Sequence, residues 1–176
     1  MLVNSPLSED TEAEVRTRSE DISDAVMAEV LKTVLSRVKK VDRDHDIPYI
    51  AGYSQNGEKI FIDRHMPKSF VHAGKRIKTD RFIILHEAVE KALLDELALN
   101  YLHAHQIALR TERAAVEAEG IDWKSYNAFT KANGKAIGDE RLSKVPSDLD
   151  LLPYRNEHDF QKLQQMIAAV HPSESG

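Results

Sequence analysis

The sequence predicts an α+β fold: a mainly helical single domain with a small antiparallel sheet or hairpin ahead of a central helix. Two observations carry that prediction. Apolar residues recur at helical spacing over four long stretches, and between residues 47 and 78 the period shortens to that of strands. Residues 1 to about 18 are rich in Ser, Glu, Asp and Thr and have few large apolar groups, so they are expected to be a flexible acidic segment or a frayed helix start. From Ser19 to Lys40, Ile22, Val26, Val30, Val34 and Val38 recur every fourth position. This predicts an amphipathic helix with one face on a core, and Lys39 and Lys40 in its last turn suit the helix dipole. The runs 47–53 and 59–63 read as strands around Asn56-Gly57, a strong hairpin signal, with Pro48 favouring an edge position. A further extended pair is expected at Phe70–His72 and Arg76–Lys78.

Thr79 or Asp80 offers a cap for a helix through about Leu99 whose apolar residues, Phe82 to Leu97, leave little polar circumference. A second helix is expected from Tyr101 to Glu119, with a break at Asn100 and a stop at Gly120. Asp122 caps a shorter one through Thr130, ended by Asn133-Gly134, and the stretch to Tyr154 reads as irregular. A last helix, Asp159 to Val170, carries Phe160, Leu163, Ile167 and Val170 on one side. No repeat or linker divides the chain, so residues 19–171 are expected to be one domain.

Composition removes several function classes. With 24 basic and 29 acidic residues the formal charge is −5, which argues against a nucleic-acid backbone binder. The chain has no cysteine, so a metal would need His, Asp or Glu ligands. No apolar run nears the roughly 20 residues needed to span a bilayer. The polar start has no apolar h-region. A cytoplasmic protein is expected. GxGxxG, P-loop and GxSxG motifs are all missing.

Chemistry concentrates in Leu85-His86-Glu87-Ala88-Val89-Glu90-Lys91. At about 100° per residue, His86 and Glu90 lie within about 40° of each other. They share a face with Ile83, Leu93, Leu94 and Leu97, while Lys91 and Asp95 point outward and Glu87 sits at the margin. A buried carboxylate is costly unless paired or metal-bound. The next helix repeats the anomaly: His105 and Glu112 fall on a stripe with Tyr101, Ala108 and Val116, and His103 points away. Ala104 and Ala108 would let another helix approach closely. If the chain turns near Asn100, His86 and Glu90 face His105 and Glu112 and make an N/O metal site. In one unbroken helix His86 and His105, 19 residues apart, would lie about 28 Å apart.

At His86-Glu87-Ala88-Val89-Glu90 the chain resembles the HExxH helix of zincin metallopeptidases, with Glu where the second His stands. The preceding hairpin and the following ligand-bearing helix resemble a zincin core over about residues 45 to 119. The resemblance implies His86 as the first metal ligand, Glu87 as the base that takes a proton from metal-bound water, and Glu90 in place of the second His. His105 or Glu112 would supply the third ligand, Glu112 alternatively being a fourth ligand or a group orienting a His. It implies a divalent metal, zinc first, and a peptide or protein substrate. Carboxylate in place of imidazole raises the pKa of bound water and turns preference towards iron or manganese.

The competing reading is a non-enzymatic helical adaptor or assembly protein in which the same residues form a buried hydrogen-bond network. The Ser19–Lys40 helix would serve oligomerisation in either case. Asp63 or His65 would border the site or form a polar hairpin rim. Tyr101 would donate to an oxyanion or simply pack its ring.

Overall fold

The computed structural model describes residues 11–170. The expected mainly helical α+β architecture is found, with six helices and two small sheets among the described residues. Among the described residues, those up to Thr33 form one unit and those from Val34 onward a second.

Helix α1, Glu12–Ser36, opens on a capping box that the sequence reading passed over. Thr11 N and Oγ1 donate to the Glu14 carboxylate at 2.7 and 2.8 Å, and Glu14 N donates back to Thr11 Oγ1. Residues 12–18, expected to be flexible or frayed, are thus the first turns of a helix; residues 1–10 lie outside those described. The expected core-facing stripe is not buried. No α1 residue is buried, and Ile22, Val26 and Val30 are 50–65% exposed. The helix stops at Ser36, so Lys39 and Lys40 do not complement its last turn; their amides donate to Glu58 O.

In the second unit, β1 (Lys40–Asp42), β2 (Ala51–Tyr53) and β3 (Lys59–Ile62) form a sheet of order β1-β3-β2. The Asn-Gly hairpin is present, antiparallel with Tyr53 opposite Ile60, and β2 is an edge strand as Pro48 suggested. β1 lacks a sequence signal of its own and adds a parallel pair. The strand expected over 47–53 starts only at Ala51. Tyr49 and Ile50 adopt positive φ of 62° and 77°, an uncommon conformation for non-glycine residues and strained for a β-branched one. β4 (Ser69–His72) and β5 (Lys75–Lys78) pair as a hairpin through Ala73-Gly74, both left-handed, but as a separate sheet rather than with β2 and β3.

Helix α2, Asp80–Leu97, follows Thr79, whose hydroxyl donates to Pro67 O instead of capping the helix. Ala98 turns the chain at φ 48°, and Asn100 caps α3, Tyr101–Ala118, by accepting from Leu102 N. α4 runs Trp123–Gly138, straight through the expected stop at Asn133-Gly134. Asn133 satisfies itself on Phe129 O, and a glycine at 134 lets the backbone lie against Ile50, whose Cδ1 would sit 3.3 Å from a Cβ there. α5, Leu152–Asn156, occupies a stretch expected to be irregular and carries Pro153 in its first turn. α6, Phe160–Val170, buries Leu163 and Met166, while Phe160 and Ile167, expected on the core side, are mostly exposed.

β3 is buried on both faces. Ile60 and Ile62 pack with Tyr53, Met66 and Ile83 beneath α2, and Phe61 packs with Ile47, Leu149, Tyr154 and Met166 on the other side. A third cluster, Phe82, Val116, Ile121 and Tyr126, joins α2, α3 and α4. The sheet and α4 thereby fix the buried flank of α2, where the chemical residues lie. No helix among the described residues is long and apolar enough to cross a membrane.

Candidate metal centre

The α2–α3 hairpin brings the predicted residues together. His86 Nε2 lies 3.2 Å from His105 Nδ1 and 3.4 Å from Glu90 Oε2, and His105 Nδ1 lies 2.8 Å from the same oxygen. A tetrahedral zinc with bonds of about 2.0–2.1 Å separates its ligand atoms by about 3.3 Å. These three atoms therefore form a triangle of the size that one face of a coordination tetrahedron requires. Two imidazoles and one carboxylate suit zinc, iron or manganese.

Glu112 does not join that triangle. Its Oε2 accepts from His86 Nδ1 at 2.7 Å, and its Oε1 accepts from the Tyr126 hydroxyl at 2.7 Å. Of the three roles left open for Glu112, third ligand, fourth ligand or group orienting a His, its contacts match the last: it holds His86 Nδ1 and leaves Nε2 turned inward. Glu90 is held in the same manner: Tyr53 donates to Oε1 at 2.8 Å and leaves Oε2 to the histidines. Tyr53 and Tyr126 were missed in the sequence. Tyr53 carried a faint signal, since strand alternation places it with Ala51 towards α2; Tyr126 carried none.

Glu87, read as marginal, is more than nine-tenths buried and lines the cleft without a hydrogen bond among the described residues. Desolvation, reinforced by the Glu90 charge, pushes its carboxyl up to about 8. Burial also acts on Glu90, but hydrogen bonds from His105, His86 and Tyr53 outweigh it and hold Glu90 at about 2. Burial disfavours a charged His86, yet its bonds to Glu112 and Glu90 raise it well above the usual imidazole range. Glu87 is thus the more basic of the two carboxylates and Glu90 the more firmly ionised.

The cleft measures about 170 Å³ and is bordered by Ala51, Gly52, Tyr101, Asp150, Pro153 and Tyr154 besides the four charged residues of α2 and α3 named above and His105. Tyr101 packs at 5.7 Å from the His105 ring, and its hydroxyl has no partner among the described residues. Ala104 and Ala108 are fully buried at the helix contact, and His103 is exposed, as expected. Two expectations fail. Lys91, assigned outward, is buried between Asp95 and Asp150, and Leu97, assigned inward, is exposed.

Asp63 and His65 do not border the cleft. With Asp46 they form a second close grouping, but its carboxylates are already occupied. Asp46 accepts from Ser143 N, Lys144 N and Arg64, Asp63 from Ile47 N and His65 N, and His65 pairs with Glu140. This is a latch between the sheet and the segment after α4. Comparison with protein-family models, curated proteins and solved structures found no match.

Proposed function

We propose that the chain is a metal-dependent hydrolase of peptide or amide bonds, built along the zincin-like lines that its HExxE helix resembles. The single observation that carries this reading is the triangle of His86 Nε2, Glu90 Oε2 and His105 Nδ1, with edges of 2.8 to 3.4 Å. A divalent cation held there supplies Lewis acidity and acidifies water. Glu112 and Tyr126 fix the His86 tautomer, and Tyr53 fixes the Glu90 oxygen that faces inward. Glu87, unpartnered and facing the cleft, accepts a proton from the attacking water and returns it to the departing nitrogen, which is general acid–base work. Tyr101 offers a hydroxyl to oxygen charge developing in the same cleft.

The reading is tested on protein purified without a polyhistidine tag. Metal analysis is expected to find close to one equivalent of zinc, iron or manganese, and chelation to lower the melting temperature. Glu87→Gln is expected to keep metal and melting temperature while kcat for a metal-dependent peptide hydrolysis falls about 10²-fold or more.

A second reading has its own support: His86, Glu90, His105 and Glu112 satisfy one another and the Tyr53 and Tyr126 hydroxyls without an ion, and no fully buried side-chain polar atom among the described residues lacks a hydrogen-bond partner. Trace metal together with a melting temperature indifferent to chelation would favour that non-enzymatic network and overturn the hydrolase.

A further inference from the structure

The free edge of β2 is not available to a long extended ligand. Asp63 N donates to Ile50 O and Ser54 N to Lys59 O, so residues 50 and 54 turn their backbone groups towards β3. The alternation of an antiparallel pair then directs those of Ala51 and Tyr53 to the open edge. The chain itself takes the Tyr53 end of that edge. Asp150 N donates to Tyr53 O and Gln55 N to Asp148 O, both at 2.9 Å, and Ser54 bridges Leu149. This strap is anchored by Lys59 on Asp148 at 2.7 Å and by the buried Lys91 on Asp150 at 2.9 Å. Ala51, which lines the cleft, keeps both of its edge-facing backbone groups without a partner among the described residues and so open to a ligand backbone.

An extended chain laid on Ala51 meets residues 148–150 within one residue and has to end there. The space left, about 170 Å³, is close to that of a cavity of about 150 Å³ that takes one benzene-sized group, and far below the several hundred Å³ of a site for a larger ligand.

Charge selects which end fits. Glu87, Glu90, Glu112 and Asp150 line the cleft, and no Lys or Arg does. Asp150 is paired to Lys91 and Glu112 to His86 and Tyr126, so the cleft offers a terminal carboxylate no Lys or Arg of its own, while it leaves an ammonium the unpartnered Glu87 carboxyl. The buried Glu87 carboxyl, without a partner, is the one whose lone pairs are open to such a donor.

Resting on the hydrolase reading above, we propose that the site takes the free amino-terminal residue of a short peptide and releases it as an amino acid. Water adds to the first carbonyl carbon, the C–N bond breaks, and the water proton leaves on the new amine, so one water is consumed per bond cut.

The test varies the ligand rather than the protein. A six-residue Ala/Leu peptide amide is offered with a free amine, with an acetylated amine, and in acetylated free-acid form, to the metal-loaded protein. Loss of the first residue alone, with kcat/KM at least tenfold lower after acetylation, is the expected result. A pair that cannot be cleaved, leucinol and N-acetyl-leucinol, is titrated into the zinc-loaded wild-type protein, where the free-amine form is expected to bind at least tenfold tighter than the acetylated one. Metal-dependent cleavage inside the acetylated peptides would overturn the proposal and leave the hydrolase standing. Tighter binding of the free amine without any cleavage would keep the ligand class and overturn the hydrolase. Neither cleavage nor discrimination in binding would overturn both.

Discussion

Single residues set the chemistry through the partners behind them. Glu112 touches His86 on the nitrogen that faces away from the triangle, and Tyr126 holds Glu112 in place. Outer partners of this kind typically control 10- to 100-fold in metal affinity. Glu112→Gln is therefore expected to weaken metal binding by about that factor in a chelator competition, and Tyr126→Phe by less, since one hydrogen bond is lost while the charge stays. Asp46 illustrates the same economy away from the site. Burial alone would raise its pKa, but hydrogen bonds from Ser143 and Lys144 and the Arg64 charge outweigh it, so the carboxyl is held below its ordinary range in the folded chain. A folded value below the unfolded one of about 3.9 means the stabilisation is complete above that pH and is lost as pH falls through the folded value. Asp63 and His65 are its other titratable neighbours and remain in both proteins compared. Asp46→Asn is expected to cost about 2–3 kcal/mol at pH 7. The gap between variant and wild type should narrow as urea melts are taken from pH 5 down to pH 3. A gap that stays constant would show that the ionised form contributes nothing.

At the level of elements, the site is a helical hairpin whose position depends on three residues between α2 and α3. Ala98 sits there at φ 48°, where a Cβ is disfavoured by about 1 kcal/mol or more. Ala98→Gly is expected to raise stability by about 0.5–1 kcal/mol without altering metal content, measured by urea unfolding. The strap over β2 depends on a glycine of another kind. A Cβ on Gly52 would lie 2.9 Å from Leu149 Cδ1, so Gly52→Ala should displace the strap and cost about 1–3 kcal/mol. Hydrogen exchange at Asp150 N should quicken in that variant; unchanged exchange would mean that Leu149 gives way alone. The helical hairpin was legible in sequence because both of its faces carry misplaced polar groups: Glu90 and Glu112 could not sit on apolar stripes without a reason. Asn100 supplied the break by its own capping chemistry. The strap was not legible, since residues 148–150 meet β2 across nearly a hundred residues and their Asp, Leu and Asp read equally well as a turn. α4 misled for a local reason, Gly134 being kept for contact with Ile50 rather than to end a helix. Lys91 misled because its partner Asp150 lies on that same unseen strap.

Over the whole molecule, stability is concentrated in one of two units. The three apolar clusters, the candidate site and the strap all belong to residues from Val34 onward, whereas α1 up to Thr33 buries no residue. A helix with no buried face draws on propensity and capping alone, and isolated helices are marginal even at favourable lengths. The Thr11–Glu14 capping box and hydroxyl bonds such as Thr17 to Ala13 O and Ser19 to Val15 O are local and add at most about 1 kcal/mol each. Backbone amides of α1 should accordingly exchange with solvent orders of magnitude faster than those of α2 and α3. Removing residues 1–33 should leave a folded protein whose melting temperature lies within about 3 °C of the full chain, a difference worth less than about 1 kcal/mol at this size. Metal content should be the same in both, because every atom of the His86–Glu90–His105 triangle and of its supporting tyrosines lies beyond the cut. A drop of 10 °C or more, or loss of metal, would show instead that α1 contributes to the core unit, and the Ile22, Val26 and Val30 stripe would then be the first place to mutate.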